Sequence, residues 1–509
     1  MATSYAQLSR IPLAEAVRLA DIPRLPLEAF RGALFDETNQ GSRVAALFGR
    51  PQSPQLVRLY AVLTHAVDGT ISLISCDVSD RYESFTPACP QVHWFEREIA
   101  EQWGVVPEGH PWLKPIRFHA SYRPGHDAWS RTVGATIWPS VTDFFQVEGR
   151  EVHEVGVGPV HAGVIEPGHF RFQCHGEHVF HLEISLGFQH RGIERALIGG
   201  PNKRTIPFME TLAGDTSIGH TTAYCQAIET LSRRQPPLRA QALRGIALEL
   251  ERLANHTGDL GALAGDVGYL PTMAYCGRLR GDFLNATAAI CGNRFGRSMV
   301  RPGGVLWDVD AVRGEQLASR LAPALVDVDG AAELLWNSRS VVTRFEDTGR
   351  VTKEVAEALG LVGPAARASG IDRDVRRDFP SGIYRFALVP AMLWTTGDVF
   401  ARAYVRWLEI QRSGQFVLEQ LHALPATDLR AETGPLAPDS LAVSLVEGWR
   451  GEICHVAITD QAGACAHYKI VDPSFHNWIG LAMSLRDQAI SDFPLCNKSF
   501  NLSYCGHDL

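Results

Sequence analysis

At 509 residues the chain is too long for one ordinary domain and calls for two or three, each with its own core. Hydrophobic residues at 45% and charged residues at 20% are proportions of a globular protein, which excludes a disordered or fibrous chain. A net charge of -8 without a clustered basic face excludes broad electrostatic binding of nucleic acid.

Taken in chain order, the apolar runs Leu56 to Leu63 and Thr70 to Cys76, separated by the turn pair Asp68-Gly69, predict a β-hairpin. Phe95 to Trp103 has helical spacing, and Gly104, Pro107, Gly109 and Pro111 then break regular structure. A small mixed α/β domain is expected over 1–140, with Pro124, Gly125, Gly134 and Pro139 marking its end. A second domain is expected over 150–509. It opens with a strand-like, glycine-punctuated stretch from His153 to Ile184.

Helices dominate afterwards. Leu243, Ile246, Leu250, Leu253, Leu260 and Leu263 form an apolar stripe that predicts a helix from Leu238 to Ala264. Glu249, Arg252, His256 and Asp259 fall on another face, which reads as a solvated or subunit-facing polar stripe. Further helices are expected at 205–230, 310–340 and 390–415, with breaks at Gly303-Gly304 and Pro364. Arg373 to Arg377, interleaved with Asp372, Asp374 and Asp378, reads as a solvated or salt-bridged run. The expected class is α+β, a small α/β domain followed by a larger, mainly helical domain with peripheral strands.

Ten cysteines without a C-x-x-C pair point to reduced cytoplasmic thiols that mostly fill core positions. No apolar stretch of about 18 residues and no signal-peptide pattern is found, so membrane association is expected through partners only.

Several blocks carry a family resemblance. Glu96-Arg97-Glu98, Trp103-Gly104 and Glu108-Gly109-His110-Pro111-Trp112-Leu113 resemble the 30 kDa subunit family of respiratory complex I. Gly158-Pro159-Val160-His161, Gly187 to Glu194, Glu249-Leu250-Glu251-Arg252 with Asn255-His256, and Arg301-Pro302-Gly303-Gly304 resemble the 49 kDa subunit and the homologous large subunit of energy-converting nickel-iron hydrogenases. Ala368 to Asp372, Arg377-Asp378 and Gly397-Asp398 with Arg402 and Arg406 follow in the same order. Fusion of both modules in one chain looks like the hydrogenase-4 and formate hydrogenlyase branch.

The resemblance implies a hydrogenase-like fold and locates the positions at which that family holds nickel through two C-x-x-C pairs. Thiolates suit such a centre because soft anionic sulfur binds nickel and bridges to iron. Here the four positions are Ala213, Thr216, Ser503 and Gly506, so a standard nickel-iron site is not expected. His161, Gly214, Asp215, His220, Cys505 and His507 are expected to line what remains of the pocket. Cys505 and His507 alone, at i and i+2, do not define a metal site. Glu166 stands where energy-converting hydrogenases carry a proton-transfer glutamate, and a carboxyl group there relays protons when burial raises its pKa toward neutrality. The histidine and tyrosine that complex I offers to quinone fall near Pro167 and on Gly214.

By resemblance the chain is the large subunit of a membrane-associated NADH:quinone oxidoreductase or energy-converting-hydrogenase-related complex. It would lie on the cytoplasmic face of the inner (cell) membrane and couple a redox or protonation event to ion translocation. The expected partners are an iron-sulfur small subunit holding a [4Fe-4S] cluster and antiporter-like and other membrane subunits. No cofactor is expected in this chain, and hydrogen turnover is not expected. Two other readings stay open: a catalytically inert scaffold with a degenerate site, and a quinone-reducing subunit.

Overall fold

A computed structural model describes residues 8–161 and 165–509. Near the start, β1 (Ile11–Pro12) and β2 (Val17–Arg18) are two-residue strands that serve different sheets. After α1 (Leu27–Asn39), the strands β3 (Arg43–Ser53), β4 (Leu56–His65) and β5 (Thr70–Val78) form an antiparallel meander, with β1 added at the β5 edge. The expected hairpin is thus β4 and β5, in register from Val57 opposite Val78 to His65 opposite Thr70. The expected helix is α2 (His93–Trp103), which packs on β3 while α1 covers β3 and β5.

Between Glu108 and Val152 the chain forms neither helix nor strand. It resumes with the antiparallel sheet β6 (Val152–Val157), β7 (His169–His175) and β8 (His178–Ser185).

The interval 205–230 is not one helix. A short helix at Thr205–Met209 gives way to a turn over 210–216, and α3 (Ser217–Leu231) starts after it. Four long helices follow: α4 (Leu238–Asp266), α5 (Leu270–Cys291), α6 (Ala311–Trp336) and α7 (Val399–His422). They close a ring in which α4 touches α5 and α7, and α6 touches the same two. Of these, α5 was not legible, because Pro271, Gly277 and Gly281 interrupt its apolar period. The start of α7 lies later than expected. The Asp398 side chain caps it by accepting from the Ala401 N–H at 2.8 Å. Gly397 before it has φ +72, and a Cβ there would lie 2.0 Å from the Val351 carbonyl.

The chain ends with β9 (Ser440–Gly448), β10 (Gly451–Thr459) and β11 (Cys465–Val471), then α8 (Pro473–Ser484), α9 (Phe493–Phe500) and α10 (Tyr504–Asp508). The sheet order is β11-β10-β9-β2, so a strand from the chain's first twenty residues completes the last sheet. Every residue of β9 and β10 is buried, and α3 packs against both. Strands buried on both faces show no alternation, which is why periodicity did not reveal this sheet.

A second expectation is overturned. The polar stripe of α4 does not face solvent or a subunit: Glu249, Arg252 and His256 are 0% exposed and Asp259 is 3% exposed. The charges are paired inside the protein. Arg252 joins Glu249 at 3.0 Å and Glu409 at 3.2 Å, His256 joins Glu409 at 2.9 Å, and Arg406 joins Asp259 at 2.8 Å. The arginine-aspartate run over 372–378 feeds the same lattice through Arg376, which bonds Asp374 and Glu249.

Candidate functional site

Two loops meet at the positions that the resemblance assigns to nickel. The first, Ala213 to Thr216, precedes α3; the second, Asn501 to Cys505, leads into α10. A guanidinium bridges them. Arg450 donates to both carboxylate oxygens of Asp215, at 2.6 and 2.8 Å, and to the Asn501 carbonyl. Removal from water acts upward on Asp215, yet Arg450 holds its carboxyl below the usual range.

Arg450 is placed by a two-residue hairpin turn, Trp449-Arg450, between β9 and β10. Its neighbour Trp449 donates from Nε1 to the Asp215 carbonyl at 3.0 Å and to Thr216 Oγ1 at 3.1 Å. From α4, Asn255 also donates to the Asp215 carbonyl at 3.0 Å. Glu251 accepts from the Ile218 and Gly219 N–H groups at the start of α3, at 2.7 and 3.2 Å. Loss of surrounding water, with Asp215 adding to it against those two bonds, pushes the Glu251 carboxyl up to about 8.

The second loop is tied from behind. Arg191 donates to the Leu212 carbonyl at 2.9 Å and the Cys505 carbonyl at 3.3 Å, so one side chain holds both loops. Asp508 accepts from the Gly187 and Gln189 N–H groups at 2.8 and 2.9 Å. On the outer side Arg191 borders an open groove of about 600 Å³, shared with His119, Tyr122, His190 and Arg195. A separate cavity of about 880 Å³, with Gln226, Arg376, Tyr384 and Glu447 among its walls, includes none of the residues of the two loops.

At the four positions that the resemblance assigns to nickel ligands, the residues present make other contacts. Thr216 Oγ1 is occupied by Trp449 and by Arg450 at 3.2 Å. Ser503 caps α10, its Oγ accepting from the Gly506 N–H at 2.9 Å. Ala213 is fully buried and offers no donor. A Cβ on Gly506 would lie 2.7 Å from the Asp472 carboxylate and 2.9 Å from Ser503 Oγ, so Asp472 fills the space a side chain at 506 would need. Among the described residues no group of three His, Cys, Asp or Glu side chains is arranged to hold a metal ion.

The structure brings Glu166 to the second loop. Its carboxylate accepts from the Cys505 N–H at 2.9 Å, with the Cys505 sulfur 3.7 Å from its other oxygen. Burial, and then the Glu166 charge, push the Cys505 thiol up to about 11, which keeps it protonated and a poor metal ligand. Gly214 is exposed beside Asp215, and His161 is exposed five residues before Glu166. His507 turns away from Cys505, stacking on Phe475 at 5.3 Å and meeting Trp94 edge-on at 5.1 Å. His220 is fully buried on α3 and bonds Asp472 Oδ2 at 2.9 Å. Sequence reasoning missed Glu251, Trp449, Arg450 and Asp472. The available signals were a Trp-Arg pair flanked by Gly448 and Gly451, where hairpin turns favour Asn and Gly, and the helix-start pair Asp472-Pro473.

Comparison with known proteins agrees with this architecture. Residues 266–437 match the family described as the respiratory-chain NADH dehydrogenase 49 Kd subunit, and residues 32–131 match that of the 30 Kd subunit. Formate hydrogenlyase subunit 5 of Escherichia coli (strain K12) is 27% identical over 490 residues, covering 91% of this chain and 84% of that protein. The carbon monoxide-induced hydrogenase of Rhodospirillum rubrum is 31% identical over 352 residues, 69% of this chain and 97% of that protein. An NADH-quinone oxidoreductase subunit of Herpetosiphon aurantiacus is 30% identical over 359 residues, 69% of this chain and 96% of that protein. The chain therefore belongs to the complex I 49 Kd-type family of oxidoreductase subunits, in the form fused to a 30 Kd-type segment and related to formate hydrogenlyase and hydrogenase-4 subunits.

Proposed function

We propose that this chain is the large subunit of a membrane-associated complex that couples a redox or protonation event to ion translocation without a nickel-iron centre. The observation that carries the reading is the bridge at the old metal locus. Arg450 spans Asp215 and the 501–505 loop, and both surviving hydroxyls, on Thr216 and Ser503, are committed to protein hydrogen bonds. What the site retains is proton chemistry: Glu166, Glu251, Asp472 and His220 are all able to hold or release a proton.

Among the described residues no helix is long and apolar enough to cross a membrane, so attachment in this reading comes through partners. Those partners are an iron-sulfur small subunit carrying a [4Fe-4S] cluster, antiporter-like subunits and other membrane subunits. The complex would sit with this chain on the cytoplasmic face of the cell membrane. Glu166, beside Cys505, is the proton-transfer group of the site.

Mild-detergent co-purification of the tagged chain, with mass spectrometry and metal analysis of the same sample, tests the assembly. Iron without nickel, together with ion-translocating membrane subunits, is the expected result; absence of any iron-sulfur partner would leave only the scaffold reading. In the intact complex, Glu166→Gln should lower proton-coupled turnover about 100-fold while the subunit content stays the same. Unchanged turnover would remove Glu166 from the mechanism.

A further inference from the structure

A second set of buried polar groups starts where the Gly506 side chain would be. Asp472 Oδ2 bonds His220 Nε2 at 2.9 Å, His220 Nδ1 bonds His455 Nε2 at 3.1 Å, and His455 Nδ1 bonds the Tyr468 hydroxyl at 2.9 Å. The links join four separate elements: Asp472 at the head of α8, His220 on α3, His455 on β10 and Tyr468 on β11. His220 and His455 are 0% exposed, Asp472 1% and Tyr468 3%. At its far end Tyr468, with Tyr224 and Cys465, borders a cavity of about 10 Å³ walled mainly by apolar side chains. Exposed Pro201 stands on that cavity's rim.

We propose that Asp472, His220, His455 and Tyr468 form a proton path between this small cavity and the old metal locus at Gly506. This deepens the reading of the site as proton-handling and rests on it.

The direction follows from what each atom can do. An ionised Asp472 only accepts, so His220 carries a proton on Nε2, and as the neutral imidazole this path requires it accepts at Nδ1. His455 then donates from Nε2 and accepts at Nδ1, where the Tyr468 O–H points. Burial opposes Asp472 ionisation, but the hydrogen bond from His220, with the Arg450 charge behind it, holds its carboxyl below the usual range. Burial keeps His455 well below the ordinary histidine value and therefore neutral. Burial, with Tyr224 and the thiols of Cys465, Cys225 and Cys454 around it, keeps Tyr468 protonated. Asp215, which pairs with Arg450, is the other charge facing Asp472. All donors thus point toward Asp472.

A proton taken up by the Tyr468 oxygen from water entering past Pro201 releases that hydroxyl's own proton to His455 Nδ1. His455 passes its Nε2 proton to His220 Nδ1, and His220 passes its Nε2 proton to Asp472. Each O–H or N–H bond broken is replaced by one on the neighbour, and one positive charge moves through without electron transfer. The two imidazoles then sit in the opposite tautomer until they release and reset. All four are positioning residues that deliver the proton to whatever group reacts at the locus.

The resting polarity is read on the full-length chain labelled with ¹⁵N-histidine, with ring signals assigned by substitution. The path requires His455 and His220 to be neutral and protonated on Nε2 at neutral pH. His455 found protonated on Nδ1, donating to Tyr468, would overturn it whether or not the complex turns over. In the assembled complex, Tyr468→Phe keeps the ring and removes the terminal hydroxyl, so it should lower turnover about 10-fold, enlarge the D₂O effect and alter the pH profile, with assembly intact. Wild-type turnover and pH profile in that variant would equally overturn the path. A wild-type complex that assembles but has no turnover would instead overturn the proposed function, and the tautomers would still decide the path.

Discussion

Glu251 reaches from α4 to the start of α3, accepting two backbone N–H groups while facing Asp215, and its carboxyl is pushed up to about 8 from an ordinary 4.5. The folded chain thus keeps this proton over a range in which the unfolded chain has lost it. That contribution to stability is complete below pH 4.5 and is lost as pH rises through about 8. Glu251→Gln is neutral throughout. Its melting temperature relative to wild type should therefore climb between about pH 5 and pH 9, followed by thermal denaturation at fixed ionic strength, and a flat difference would exclude the retained proton. At this scale the sequence was partly informative. The family resemblance picked out Ala213, Thr216, Ser503 and Gly506, and the structure places their two segments beside each other through Arg450, which bonds Asp215 and the Asn501 carbonyl. Arg450 and Asp472 could not be picked out, because each reaches the site from a segment more than two hundred residues from its partner, Asp215 or His220, and only tertiary folding pairs them.

The helix α4 was legible to within two residues by its apolar period, yet the environment of its polar face was not. Period reports which residues share a face and says nothing of what covers it. Here the cover is supplied by Arg367, Arg376, Glu409 and Glu447, which come from four later segments. Arg367 joins Glu409 at 2.6 Å and Glu447 at 2.8 Å, so the lattice continues from α4 through α7 to β9. Removing one member takes away part of the compensation that buried carboxylates such as Glu249 and Glu409 receive. Arg252→Met should cost about 3 kcal/mol in urea denaturation, since Glu249 and Glu409 each lose one of their buried cationic partners and the Glu447 and Gly448 carbonyls lose the Arg252 donor, while the exposed Arg278→Met should cost under about 1 kcal/mol. Equal costs at the two positions would mean that the lattice is not a structural requirement.

Across the whole molecule, the two modules separated in the sequence share one seam. Glu98 on α2 receives both Arg117 and Lys469, Arg43 on β3 pairs with Glu452 on β10, and Phe95 meets Phe475 with ring centroids 5.0 Å apart. Arg117 also donates to the His507 carbonyl, which anchors the α10 loop to the N-terminal module. With charges and rings from both modules buried in that seam, neither half should melt alone. Scanning calorimetry of the full chain is expected to give one cooperative transition, and two separated transitions would show that the seam is weak. Nothing in the sequence announced the seam, because its residues are separately ordinary core and charge positions whose pairing spans hundreds of residues.

The Asp472 carboxylate standing in the space of a residue-506 side chain also sets the order in which this site can be redesigned. With the carboxylate in place as the cap of α8 and the partner of His220, a cysteine introduced at 506 meets it, and removing the carboxylate first sacrifices both of those contacts. Engineering a thiolate metal centre into this chain therefore has to begin at residue 472 rather than at 213, 216, 503 and 506.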